Sequence, residues 1–231
     1  MTDRLQRSKY TTPTDPAPER PLEVLLGAGL FFALAVYAKF PRLDLWVSQR
    51  QFHPEHGFAL AQAPLAQALD AWAPRLILAL LTLPLVWLVI SPMLAALAQR
   101  RGHARWARHM LGLGRRTAIL TLLLALLGPG LLGEGLLKHT MGRPRPVQTD
   151  LFGGTQAFLG PFEIGDNPAE HRSFFSTTAA AGFCLMGLGL ACGPVWRRRW
   201  LLLGLLAGGV LGLMRVMQGT HYLSDVTFAF Y

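Results

Sequence analysis

The chain is short of charge, of cysteine and of acid. Only 15% of its 231 residues are charged, against about a quarter in an ordinary globular domain. With 52% hydrophobic residues and a mean hydropathy of +0.33, that scarcity excludes disorder for most of the chain. Two cysteines in this length exclude a disulfide-stapled miniprotein. Cys184 and Cys192 fall on one predicted helix, roughly 12 Å apart, too far for a bridge within the chain; they read as small core residues. There is no internal repeat and no zinc-like ligand spacing. Acids are outnumbered 13 to 22 by Lys and Arg, giving a net charge of +9 and a pI near 10.5. So basic a small protein usually suggests nucleic acid, and the stretch HARWARH (103–109) is where that would have to sit. A loop that fixes membrane topology is the simpler reading of those residues, and no nucleic-acid partner is expected.

What the chain does have is long apolar runs. A bilayer core takes about 20 mostly apolar residues per helix. Pro21 to Phe40 is one such run. Arg75 to Ala98 is a second, carrying Pro84 and Pro92. Thr117 to Leu137 is a third, with a kink expected at Gly128-Pro129-Gly130. Phe174 to Cys192 is a fourth and Trp200 to Met217 a fifth. A sixth begins at Tyr222, and the nine residues that follow are too few to cross. Runs of this length without polar faces fit lipid better than a buried helical core. The expected fold is therefore all-α, a polytopic membrane helix bundle with five full spans plus the start of a sixth.

Basic residues orient the spans. With the N-terminus inside, Arg4, Arg7, Lys9, Arg20, Arg100, Arg101, Arg105, Arg108, Arg115, Arg116 and Arg197 to Arg199 all fall on the inner side, with Asp3, Asp15, Glu19 and Glu23 as its acids. The whole +9 then lies inside and the outer half is neutral in sum. Trp46, Trp72, Trp106, Trp196 and Trp200 stand near span ends, as an aromatic belt would. Residues 1–20 read as a disordered cytoplasmic tail and 21–231 as the membrane domain. A signal peptide ending at Ala33-Leu34-Ala35 is the alternative for the start of the chain. Phe58 to Trp72 reads as an amphipathic segment on the outer interface.

Three outer segments carry chemistry. Lys138-His139-Thr140-Met141-Gly142-Arg143-Pro144-Arg145-Pro146 sets three cations in a proline-stiffened stretch, and Arg forks suit phosphate. Placing such a cluster outside runs against the positive-inside rule, which argues for a use. His171-Arg172-Ser173-Phe174-Phe175-Ser176-Thr177-Thr178 opens the fourth span with hydroxyls and free N–H groups, which make either an anion site or an ordinary helix cap. In the third segment Arg215 ends the fifth span, where a charge is expensive and usually functional. His221 and Asp225 follow four residues apart, on one helical face. The carboxylate can fix the imidazole tautomer and stabilise its cation.

Together these residues resemble the phosphatidic acid phosphatase type 2 (PAP2) superfamily, and within it look most like the bacterial lipid A phosphatases. Lys138 and Arg145-Pro146 match its first motif, a Lys, six residues and Arg-Pro. Arg215, His221 and Asp225 match its third, with Met214 where a Ser is common. The motif core spans 117–225. The resemblance implies a lipid phosphatase of a bacterial inner membrane, multi-pass, with the N-terminus cytoplasmic and the active site periplasmic. It implies that His221 attacks phosphorus to form a phosphohistidine, with Asp225 orienting it. Lys138, Arg145, Arg215, Ser176 and backbone N–H groups near Thr177 would hold the phosphoryl oxygens. The partners implied are a membrane lipid phosphate and the bilayer, with no metal and no cofactor.

The second motif departs from the family. Pro-Ser-Gly-His is replaced by Phe175-Ser176-Thr177-Thr178, so the histidine that protonates the leaving oxygen is Thr178. General acid catalysis is worth about 10²- to 10⁴-fold. The chain is then an impaired enzyme that still binds lipid phosphates, or one whose leaving group needs little help, such as a pyrophosphate or an anomeric phosphate. His171 and His139 are the other histidines that could stand in.

Overall fold

The computed structural model describes residues 21–231; the expected tail, 1–20, lies outside the described residues. Helix α1 (Pro21–Lys39) runs unbroken through Ala33-Leu34-Ala35 and is followed, after an 81° bend, by α2 (Leu43–Gln49). A two-stranded ribbon, β1 (Phe52–His53) and β2 (Gly57–Phe58), leads to α3 (Pro64–Arg100). Pro64 opens α3 in its first turn, where a missing N–H costs nothing. The stretch expected to lie on the interface is thus divided between the ribbon and the start of α3.

Between α3 and α4 (Ala104–Thr140) there is only a tight turn at Gly102, whose φ of +79° suits glycine. The basic inner loop expected from the sequence is therefore mostly helix. Arg115 is built into the α3–α4 contact rather than left as a free topology charge. Its guanidinium donates to the Leu88 carbonyl at 2.7 Å and to Ser91 Oγ at 3.2 Å. The Leu88 carbonyl would ordinarily receive the N–H of residue 92, which is Pro92. In lipid such an orphan is costly, and Arg115 satisfies it. Further along α4, Pro129 is accommodated by a π-helical stretch, Leu126–Leu137, so the expected kink is absorbed inside one continuous helix.

Helix α5 (Thr177–Leu190), α6 (Pro194–Met217) and α7 (Leu223–Phe230) complete the bundle. Every residue from Ser173 to Cys184 is buried. Small side chains make that central position possible. Gly182 packs against the Gly208 backbone, and Phe183, Met186 and Val226 fill the places where Gly208, Gly204 and Gly212 lack a Cβ. This glycine ridge repeats every four residues down one face of α6. Phe174, Phe175, Ala179, Ala180, Phe183, Val216 and Val226 form the core around it.

The molecule is an all-α membrane bundle. Among the described residues three helices are long and apolar enough to cross, Arg75–Arg100, Ala104–Thr140 and Pro194–Met217, or four if the bent pair α1–α2 counts as one. The expected fourth span is helical only over the 14 residues of α5, about 21 Å, which is short of a hydrocarbon core of about 30 Å.

Candidate active site

Three main-chain hydrogen bonds join the three segments singled out in the sequence. The Val147 N–H donates to the Gly219 carbonyl at 3.0 Å, the Ser173 N–H to the Arg143 carbonyl at 3.0 Å, and the Ser176 N–H to the Asp225 carbonyl at 3.1 Å. Each segment thus touches both others. Two glycines permit this. Gly142 has a φ of +58°, and a Cβ there would lie 2.6 Å from the Gly165 carbonyl oxygen. Gly219 has a φ of +69°, and a Cβ there would collide with the Phe58 ring, which closes over the turn.

His221 sits just before α7, 3% exposed, with its Nδ1 3.4 Å from Asp225 Oδ2. That separation is a charge contact and too long for a good hydrogen bond. Asp225 Oδ2 already accepts the Ser173 hydroxyl at 2.5 Å and the Tyr222 N–H at 2.8 Å. Burial pushes the imidazole down to about 4; the Arg215 and Lys138 cations add to the shift, and Asp225 opposes it. Burial thus favours the uncharged ring, in which one nitrogen keeps its lone pair.

Behind this pair lies a residue that spacing alone did not single out. Arg143 is fully buried. One guanidinium nitrogen donates to Asp225 Oδ1 at 2.7 Å and to Ser224 Oγ at 2.8 Å, and the other reaches Asp44 Oδ2 at 2.7 Å. Its Nε donates to the Leu159 carbonyl at 3.0 Å, and the Tyr222 ring lies 4.2 Å beneath its centre. Asp44 comes from α2 and also accepts the Ser224 N–H at 2.8 Å and the Ser224 hydroxyl at 2.5 Å. A buried guanidinium shared by two carboxylates is tenable because these hydrogen bonds satisfy it and both acids.

On the other side are the groups suited to phosphate. Lys138, at the end of α4, is buried, with its Nζ 2.6 Å from Glu134 Oε1 and 3.1 Å from Thr177 Oγ1. Arg172 holds the second Glu134 oxygen at 3.2 Å. Arg145 and Arg172 lie within electrostatic reach of Lys138. Arg145 is held at the start of a short turn, where its N–H donates to Gln148 Oε1 at 2.8 Å. Arg215, on the last turn of α6, contacts Gln218 Oε1 at 3.2 Å. Ser176 caps α5 by accepting from the Ala179 N–H at 3.4 Å. Thr177 and Thr178 are buried on the first turn of that helix. His139 is exposed, whereas His171 is buried with no hydrogen-bond partner for its Nδ1.

The fold thus brings Lys138, Ser176, Thr177, His221 and Asp225 to one buried place, with Arg145 and Arg215 within electrostatic reach of it. Asp44 was not expected, and Arg143, Ser173 and Ser224, though they lie within the three segments, carried no expected role of their own. An acid in the short apolar segment LDLWVSQ was the available signal for Asp44. Among the described residues no group of three or more His, Cys, Asp or Glu could hold a metal.

Residues 118–231 match the family model described as the PAP2 superfamily. A lipid A 4'-phosphatase of Francisella tularensis subsp. novicida is 38% identical over 103 residues, 44% of this chain and 46% of that protein. Those of Rhizobium etli and Rhizobium leguminosarum are 42% and 40% identical, covering 40% and 43% of their own lengths. The match therefore spans less than half of each relative. No solved structure matches.

Proposed function

Taking residues 118–231 as a PAP2 superfamily domain, we propose that the chain is a lipid phosphatase that removes a phosphate from lipid A or a polyprenyl pyrophosphate at the outer face of a bacterial inner membrane. The observation that carries this reading is a buried His221 whose Nδ1 lies 3.4 Å from Asp225, with the Lys138 and Arg215 cations within electrostatic reach. Nε2 attacks phosphorus in line with the leaving oxygen, and the bond to that oxygen breaks as N–P forms. Asp225 stabilises the positive charge that grows on the ring. Lys138, Arg145, Arg215 and the N–H groups at the start of α5 take the charge on the phosphoryl oxygens. Water then hydrolyses the phosphohistidine and returns His221 to its uncharged form.

Thr178 favours a second reading, binding of lipid phosphates without turnover. A threonine hydroxyl is a poor acid, so an alcohol would leave unassisted. One assay divides the two: phosphate release from lipid A and from polyprenyl pyrophosphate, in detergent with chelator. Release from either supports the phosphatase. No release from any lipid phosphate, with vanadate still bound, supports the binding protein, and loss of both removes phosphate chemistry altogether.

A further inference from the structure

The carboxylate behind the Arg143 guanidinium does not belong to the segment that matches the family. Asp44 stands on α2, outside residues 118–231, yet it is fully buried against the site. We infer that Asp44 is a positioning residue for His221, acting through Arg143 and Ser224 on Asp225, so that the N-terminal helices supply part of the catalytic apparatus. This rests on the proposed phosphatase reading.

Arg143 has two charged partners and no route to solvent. With Asp44 in place one nitrogen faces each acid, and the guanidinium is pinned between α2 and α7. Ser224, next in sequence to Asp225, is bound to Asp44 through both its N–H and its hydroxyl. The first turn of α7 is therefore fixed from two directions, and with it the carboxylate at 3.4 Å from the imidazole. Without the Asp44 charge, Asp225 is the one carboxylate still bonded to Arg143 among the described residues. The guanidinium then draws that carboxylate away from Nδ1 at the moment the imidazole becomes cationic. The charged groups that face His221 are Asp225, Arg215 and Lys138. Of these, Asp225 is the one bonded to Arg143, so the effect should fall on the chemical step and spare phosphate binding.

The test uses the full chain in detergent, with lipid A as substrate and inorganic vanadate as the phosphate probe. Asp44→Asn keeps the shape and an acceptor while removing the charge. It should lower kcat by about ten-fold or more while KM and vanadate affinity stay within about two-fold. Ser224→Ala should also lower kcat at constant KM, and it carries the test if Asp44→Asn does not fold. Tyr37→Phe cuts a different tie between α1 and α7, the 3.0 Å bond to Thr227 Oγ1, and should leave kcat unchanged. An unchanged kcat in both Asp44→Asn and Ser224→Ala, or an equal loss in Tyr37→Phe, overturns the inference. If the unmodified chain releases no phosphate, the phosphatase reading fails and the positioning role is read by histidine NMR instead. The His221 midpoint, assigned against His221→Ala, should move by about half a pH unit or more in Asp44→Asn. An unmoved midpoint contradicts it.

Discussion

The two sides of His221 are furnished differently. Behind it, both oxygens of Asp225 and both of Asp44 are occupied by Arg143, Ser173, Ser224 and main-chain N–H groups. In front, the helix that opens on Ser176 carries Thr177 and Thr178 where the family motif has glycine and histidine, and Lys138 is engaged by Glu134 and Thr177. On the proposed phosphatase reading, the groups that would orient a nucleophile have their hydrogen bonds made, while Thr178 stands where the group that would protonate the leaving oxygen is expected. An enzyme losing all function would be expected to relax both sides together.

The largest effect should come from the rear side. His221→Ala should reduce phosphate release by about 10⁴-fold or more, since it removes the proposed nucleophile; a loss below ten-fold would show that another nucleophile operates. Next is the front. Thr177→Gly with Thr178→His should raise the rate by about 10²- to 10⁴-fold, measured on a substrate with an alcohol leaving group. No gain there, together with brisk release from a pyrophosphate, would mean the leaving group never needed an acid.

Smaller effects concern stability and binding. Burial pushes the His221 imidazole down to about 4 in the fold against about 6.5 when unfolded. Between those values the unfolded chain binds the extra proton, so stability is complete above about 6.5 and falls with pH through that window, by on the order of 3 kcal/mol. Thermal melts from pH 7 to 4, compared with His221→Ala, check this: the variant should lose less stability on acidification. The smallest expected effect is at Glu134, whose side chain is 45% exposed. Glu134→Gln frees Lys138 for phosphate and should lower the KM for lipid phosphate by about two- to three-fold, because exposed ion pairs are worth little.

The sequence already carried much of this arrangement. Lys138, Arg215, His221 and Asp225 were legible because their spacings are local and their charges stand at the ends of apolar runs. The long helices were legible from the same runs. Asp44 and the burial of Arg143 against it were not, because their bond joins residues 99 apart in the chain, and that from Ser224 to Asp44 spans 180. The second role of Arg115 was not legible for a related reason: a basic residue near a span end reads as a topology signal, and only the fold shows Pro92 leaving a carbonyl for it to satisfy. The short α5, buried throughout its first half, looked like an ordinary span because alanine and glycine are apolar on any scale. What distinguishes it is the set of helices packed around it.

The most direct test of the central claim is a rapid quench of the full chain with ³²P-labelled lipid A, followed by mapping of acid-labile label on the protein. The account predicts label on His221, absent from His221→Ala and longer-lived in Asp225→Asn. Phosphate release with no labelled histidine, or label that persists in His221→Ala, would contradict it.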